Sequence, residues 1–252
     1  MSAPYIRIPY EMVGEHIGLI RKLALNLEVY LSGDVLDTLG PGSMDELKNT
    51  LGSDIALTLH APFMDLSPGA VDSKVRAATM ERFSQVFDAA RTLRPDAIVF
   101  HSGYERWKYA LSPEAWLEAS MRTWPGFIRR ASEMGTRIAM ENVFEDEPDN
   151  LALLVGELGS GHFGICFDTG HFNLFSRKPL SSWLEALGPH IIELHLHDND
   201  GGFDSHLPIG EGIFDFGELF RALKGRDLIH TIESNTPEHV MKSVESLRKY
   251  AL

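Results

Sequence analysis

His60, His101, Glu141, Asp168, His171, His195, Asp204, His206 and Glu233 carry the most chemistry in this chain: five imidazoles and four carboxylates, placed one or two at a time at the ends of successive apolar segments. A single histidine at a strand end serves the fold as a hydrogen-bonding residue more often than it binds a metal. Here His60, His101, Glu141, Asp168, His195 and Glu233 share that address, which reverses the balance. Burying several carboxylates together is strongly unfavourable unless cations neutralise them. Imidazole mixed with carboxylate, without thiolate, suits zinc, manganese or iron better than calcium. The residues therefore describe one assembled divalent-metal site, its ion left open among zinc, manganese and iron. One ion takes about four to six ligands, so this many donors points to several ions. The competing use of the surplus His and Asp is binding sugar hydroxyls.

Residues so far apart in sequence meet only if a regular scaffold collects strand ends. Short β-rich runs recur at Tyr5–Ile8, Leu27–Leu31, Ile55–Leu59, Ala97–Phe100, Arg137–Met140, Gly164–Phe167, Ile191–Leu196 and Leu228–Ile232. Helical patterns lie between them, such as Val13, Ile17, Ile20 and Ala24, or Val75, Ala78, Phe83, Val86 and Ala90. Ser112-Pro113-Glu114 and Thr236-Pro237-Glu238 read as helix starts. Strand alternating with helix implies parallel strands joined by crossovers. The 252 residues match the roughly 250 of a (β/α)₈ TIM barrel, expected as a single α/β domain over residues 1–252. Active sites of such barrels lie at the C-terminal strand ends, the address shared above. The longest loop expected runs from Asp198 to Gly212 and carries Asp204 and His206 ahead of Gly210-Glu211-Gly212; a loop of this length in a barrel is commonly functional.

The net charge of −13 repels a nucleic-acid backbone unless the mouth of the site is locally positive. The single cysteine rules out an intramolecular disulfide. Cys166 shares strand parity with Asp168 and is read as packing inside the barrel. Met1–Tyr10 has no basic stretch leading into an apolar run, and no segment approaches the roughly 18 apolar residues of a membrane span. The expectation is a soluble cytoplasmic protein without a membrane partner.

Leu59-His60-Ala61-Pro62-Phe63, Phe100-His101-Ser102-Gly103, Met140-Glu141-Asn142, Phe167-Asp168-Thr169-Gly170-His171, His195-Leu196-His197-Asp198, Asp204-Ser205-His206 with Ile209-Gly210-Glu211-Gly212, and Ile232-Glu233-Ser234 stand in an order that resembles the xylose isomerase-like TIM barrels, a superfamily that includes endonuclease IV. The resemblance covers nearly the whole chain. It implies up to three zinc ions: one on His60, His101 and a bridging Glu141; a second on Glu141, Asp168, His195 and Glu233; a third on His171, Asp204 and His206. The isomerase and epimerase branches of the superfamily use the middle tetrad alone, on one metal.

Several residues stay open at this level. His197 shares a strand face with His195 and is an alternative ligand. Glu28 either supports a ligand or pairs with Arg7 inside the barrel. His16, His162, His190, His230 and His239 are read as solvent or core residues, and the run Glu145, Asp146, Glu147 and Asp149 as a solvated loop. Arg106 and Lys108, beside Trp107 and Tyr109, and Arg177 are the candidates for substrate binding. The segment Ser32–Ser43, read as a loop, has no Arg, Lys or aromatic residue with which to grip DNA. The expected function is a metal-dependent phosphoester hydrolase with Glu141, Asp168 and Glu233 as catalytic carboxylates. A small or nucleotide-like substrate stands ahead of duplex DNA. A mononuclear sugar or sugar-phosphate isomerase or epimerase, with Glu141 and Glu233 moving the proton, is the alternative; a metal-stabilised binding module is the third class.

Overall fold

Alternation along the strands sorts side chains between the two sides of a closed sheet. The computed structural model describes residues 3–109 and 111–250. Among them, strands β1 (Tyr5–Pro9), β2 (Asn26–Tyr30), β3 (Leu57–His60), β4 (Ala97–His101), β5 (Arg137–Glu141), β6 (Phe163–Asp168), β7 (Ile191–Leu196) and β8 (Ile229–Ile232) form a closed parallel barrel in sequence order. The β1–β8 pair, Tyr5 beside Thr231 and Ile6 beside Ile232, completes the ring. This is the α/β TIM barrel expected from the strand–helix alternation.

One parity of each strand points outward. Leu27, Val29, Leu57, Leu59, Ile98, Phe100, Ile138, Met140, Ile165, Phe167, Leu194 and Leu196 merge with helix residues such as Phe83, Phe87, Trp124 and Trp183 into one large apolar cluster. The other parity points inward. Tyr5, Ala97 and Ile229 close the N-terminal end, and Val99, Ala139 and Cys166 form a separate small-residue cluster above them. Cys166 is therefore core packing, as its parity implies. The interior also carries polar side chains: Glu28, Thr58, Glu193 and Thr231 are fully buried, with Thr58 donating to Glu28 and Thr231 to Glu193.

Strand ends differ from the sequence reading in one informative way. β3, β4, β5 and β6 extend to include His60, His101, Glu141 and Asp168, so these side chains stand on paired backbone rather than on the following loop. The ladder continues because the main chain beyond still binds, as when Leu31 N donates to His60 O and Ala61 N to Val99 O. β3 starts at Leu57, later than the expected Ile55. Ala24 falls outside the first helix (Val13–Lys22) with φ 52°, beyond its C-terminal cap. The expected loop Ser32–Ser43 contains a helix over Gly33–Thr38, because the Ser32 hydroxyl accepts from Val35 N and starts it. The other anticipated starts hold: Pro113 opens the helix Pro113–Met134, and Thr236 Oγ1 accepts from His239 N at the start of Pro237–Tyr250. Among the described residues, no helix is long and apolar enough to cross a membrane.

The segment after β7 is held from within. Asp198 is fully buried, and its carboxylate accepts from the amides of Asn199, Gly210, Gly212 and Phe214 at 2.9–3.1 Å. Asp198 and Leu207 exchange two backbone hydrogen bonds, and Ile209 N donates to Ser243 Oγ on the last helix. A side chain at Gly212 would collide with Asp198 itself. The loop bearing Asp204 and His206 is thus wound around one buried carboxylate. Asp198→Ala should leave the barrel folded but strip four backbone amides, two of them in buried hydrogen bonds, of their acceptor, costing on the order of 3 kcal/mol. Limited proteolysis should then cut within residues 199–213, with far-ultraviolet circular dichroism unchanged; resistance equal to wild type would contradict this role.

Candidate metal centre

All nine residues singled out by type and spacing converge at the C-terminal mouth of the barrel. Glu141 lies at the middle: its Oε2 is 3.1 Å from His60 Nε2 and 3.2 Å from His101 Nε2, and its Oε1 is 3.0 Å from His171 Nδ1. His195 Nδ1 is 3.0 Å from Glu233 Oε1, 3.6 Å from Glu141 and 3.8 Å from Asp168. The long loop delivers the remaining pair. Asp204 Oδ2 is 3.6 Å from His171 Nε2 and 3.2 Å from His206 Nε2, and His206 Nδ1 is 3.5 Å from Glu233 Oε2. His206 adopts φ 49°, a conformation that non-glycine residues rarely take, so the loop fold holds it there at a cost.

The backbone fixes this geometry through lateral ties between neighbouring strand ends. The Asn142 amide receives from Asp168 N and donates to Asp168 O, at 2.8 and 3.0 Å, locking the end of β5 to that of β6. Thr169 Oγ1 donates to the carbonyl of His195 or His197 and accepts from His197 N, tying β6 to β7. Asp168 also caps the helix Thr169–Phe175 by accepting from His171 N at 2.7 Å, which places His171 on its first turn.

The donors suit a divalent ion. A ligating imidazole typically gives its second N–H to a carbonyl or carboxylate. His60 Nδ1 faces Ala61 O at 2.9 Å, His171 Nδ1 faces Asn142 O at 3.1 Å, and His195 Nε2 faces Glu28 at 3.3 Å. In each case the other nitrogen is left toward the cluster. Buried His195 Nδ1 and Asp204 Oδ1 have no hydrogen-bond partner. Donor atoms of His60, His101 and Glu141, and likewise of Glu141, Asp168 and His171, all lie within 4.8 Å of one another.

Charge explains how the cluster holds together without cations. Burial pushes the Glu141 carboxyl up, but His101 and His195 outweigh it and hold its pKa well below the usual range. At Glu233 burial is overcome first by Arg7 and then by His195. At Asp204 it is overcome by hydrogen bonds from His171 and His206, which keep that carboxyl ionised. The imidazoles shift reciprocally: burial lowers His171 and His206, yet hydrogen bonds and charge from the surrounding carboxylates raise both. Burial wins at His101, which is lowered.

The open residues of the sequence now have places. Glu28 supports His195 and Thr58, while Arg7 pairs with Glu233 at 3.3 Å. His197 Nε2 is 3.1 Å from both oxygens of Asp168, its Nδ1 is 3.6 Å from Asp204, and its ring stacks on His206 at 4.0 Å. A Cβ at position 170 would fall on the His197 ring, so glycine is required there. His16, His162, His190, His230 and His239 stand outside these groupings. Phe63 stacks on His101 at 4.3 Å. Lys108 lines the same cavity as the ligands, about 620 Å³ in volume. Arg106 and Arg177 instead line a neighbouring recess with Trp107, both facing Asp146, at 3.1 and 3.9 Å. Sequence reasoning gave no role to Asn142, Asp198 or Glu145. Asn142 and Asp198 flank ligands in the quoted motifs, which was the available signal.

Comparison with known proteins places the fold in a family. Residues 27–250 match the family described as xylose isomerase-like TIM barrel. An uncharacterised protein of Methanocaldococcus jannaschii is 33% identical over 208 residues, covering 78% of this chain and 70% of the relative. Among solved structures, the TTHB071 protein from Thermus thermophilus, soaked with ZnCl2, has 30% identity and a TM-score of 0.83, over 100% of this chain and 98% of its own. A D-tagatose 3-epimerase-like protein has 28% identity and a TM-score of 0.80, over 98% and 97%. A Mycobacterium leprae protein named probable endonuclease 4 is 26% identical over 197 residues, 71% of this chain and 72% of that one.

Glu145 departs from the solvated loop expected for its acidic run. It is buried, accepts from the Ser102 hydroxyl and, at 2.7 Å, from Val143 N, and burial pushes its pKa up to about 7. A carboxyl whose folded pKa exceeds its unfolded value stabilises the protein below the unfolded value, near 4.5, and loses that contribution as pH rises through about 7. In chelator-treated protein, wild type should therefore lose on the order of 3 kcal/mol relative to Glu145→Gln between pH 5 and pH 8. Parallel urea-unfolding curves at both pH values would refute it.

Proposed function

The chain belongs to the xylose isomerase-like TIM-barrel family, and we propose that it is a multinuclear, zinc-dependent phosphoester hydrolase acting on a small or nucleotide-like substrate. The observation that carries this reading is the position of the Asp204–His206 loop, folded against His171 and Glu233 so that a second group of donors adjoins the Glu141 centre. An isomerase-type tetrad needs neither Asp204 nor His206. In this reading His60, His101 and Glu141 hold one ion, Glu141, Asp168, His195 and Glu233 a second, and His171, Asp204 and His206 a third.

When bound, the ions supply Lewis-acid polarisation and charge compensation at phosphorus. Glu141 Oε2 faces His60, His101 and, at 3.6 Å, His195, while its Oε1 faces His171, so this carboxylate adjoins imidazoles of all three groups. Glu141 and Asp168 orient the attacking water and accept its proton, and Glu28 holds the His195 ring in the orientation that ligation needs. Phe63 and Met64 line the cavity on the β3 side. Duplex DNA fits less well: the chain carries a net charge of −13, the helix Gly33–Thr38 offers no cation, and Arg106 and Arg177 are occupied by Asp146.

A second reading, a mononuclear sugar epimerase, is favoured by the likeness to the D-tagatose 3-epimerase-like protein. There Glu141 and Glu233 would transfer the proton on opposite faces of the sugar. Elemental analysis of protein purified without added metal or chelator separates the two. The hydrolase reading expects about two to three zinc equivalents per chain, falling by about one in His206→Ala, with activity on phosphodiesters or phosphomonoesters. One equivalent indifferent to His206, with interconversion of ketose epimers abolished by Glu233→Gln, would replace it with the epimerase.

A further inference from the structure

Arg7 is a cation at the metal centre with no part in the chemistry above. It lies on β1, and two cavities meet at its side chain: the metal pocket, about 620 Å³, and a second cavity of about 410 Å³ lined by apolar residues including Ile8, Leu19 and Leu23. The side chain is 22% exposed. Its Nη1 donates to Glu233 Oε2 in a single long hydrogen bond of 3.3 Å, and its Nε is buried without a partner. The guanidinium carbon stands 5.1 Å from the centre of the Tyr30 ring, which steadies the group from one side. An arginine that serves a carboxylate normally grips it with two parallel bonds. Arg7 makes one, and the other Glu233 oxygen faces His195.

The charge of the loaded site decides what Arg7 is for. The carboxylates of Glu141, Asp168, Asp204 and Glu233, with buried Glu28 behind His195, set against three divalent ions leave an excess of roughly one positive charge, since neutral imidazoles add none. A guanidinium beside that excess is repelled until an anion arrives. With a single ion the carboxylates would keep the upper hand, and Arg7 would only neutralise Glu233. A preplaced guanidinium with unsatisfied donors, at the wall of a site that turns positive on loading, has the properties of an anion receptor.

We propose that Arg7 binds the anionic group of the substrate at the loaded centre, passing its hydrogen bond from Glu233 to phosphoryl oxygens. This rests on the multinuclear reading above, and it makes Arg7 a substrate-binding residue on the wall between the two cavities. It also names the substrate class: a phosphoester that keeps at least one negative charge at neutral pH, in preference to a neutral sugar.

The test is calorimetric titration of inorganic phosphate into zinc-loaded wild type, Arg7→Met and Arg7→Lys, with zinc content and thermal midpoint measured on the same samples. Wild type should bind phosphate. Arg7→Met should retain its zinc and bind phosphate at least about tenfold more weakly, and Arg7→Lys, which keeps the charge but loses the fork, should fall between. Equal phosphate affinity in all three, with two to three zinc ions retained, would overturn the role of Arg7 while leaving the hydrolase standing. Loss of zinc in both variants would show Arg7 to be a counter-ion of Glu233 and overturn it too. One zinc per chain in wild type would remove the premise and overturn both readings.

Discussion

Mutual repulsion among the four carboxylates at the mouth of the barrel is the constraint to which the rest of this structure answers. Oxygens of Glu141 and Asp168 lie within 4.8 Å of each other, a separation at which two unit charges repel by roughly 3 to 4 kcal/mol at an effective dielectric of 20. Glu233 and Asp204 add to it from the opposite side. No arrangement of apolar neighbours relieves this, and burial alone makes it worse by favouring protonated carboxyls. The imidazoles supply the relief, and their reciprocal shifts show the compensation to be mutual: Glu141 and Glu233 fall while His171 and His206 rise.

The barrel makes that concentration of charge tolerable by dividing labour along each strand. Outward residues build the apolar layer under the helices, and inward residues change from small and apolar to acidic and basic toward the C-terminal end. The small cluster of Val99, Ala139 and Cys166 leaves room beneath the site for the bulk of His195, Glu28 and Glu193. Main-chain ties then fix what side-chain packing cannot. The two-point clamp of Asn142 on Asp168 and the hydroxyl of Thr169 between the His195 and His197 backbones hold neighbouring strand ends in register. Gly170 belongs to the same device, since only a bare Cα leaves space for the His197 ring.

Most of this was readable in the sequence because it rests on parity and order. Ligand types that recur at strand ends have one place to meet in a closed parallel barrel, and the five imidazoles and four carboxylates meet there. What escaped was whatever depends on a hydrogen-bond partner far away in the chain. Glu145 sits in an acidic run whose composition signals solvent, yet Ser102 and the Val143 amide bury it. Arg7 and Glu28 face each other in register on β1 and β2, but Arg7 turns to Glu233 and Glu28 to His195, a choice made by the far side of the barrel. Asp198 stands in a quoted motif, and only the folded loop shows its carboxylate collecting amides from as far as Phe214. The helix Gly33–Thr38 was missed because a polar, glycine-containing segment reads as a loop until the Ser32 cap is weighed.

Glu141, Asp168, His195 and Glu233 by themselves say little about the reaction, because in either proposed reading those four residues serve a single ion. The discriminating structure in this chain is the loop wound around Asp198, for it decides whether Asp204 and His206 reach His171 and Glu233. Without that loop, one divalent ion among several carboxylates leaves the site negative, suited to neutral polyols. With it, added donors recruit added ions faster than they add negative charge: one carboxylate and two neutral imidazoles bring a dication. The sign of the site therefore changes with the number of ions it holds. In the multinuclear reading, a loop that no longer reached His171 would leave Glu141, Asp168, His195 and Glu233 in place while withdrawing Asp204 and His206, so the charge of the loaded site would turn on the loop and not on the barrel.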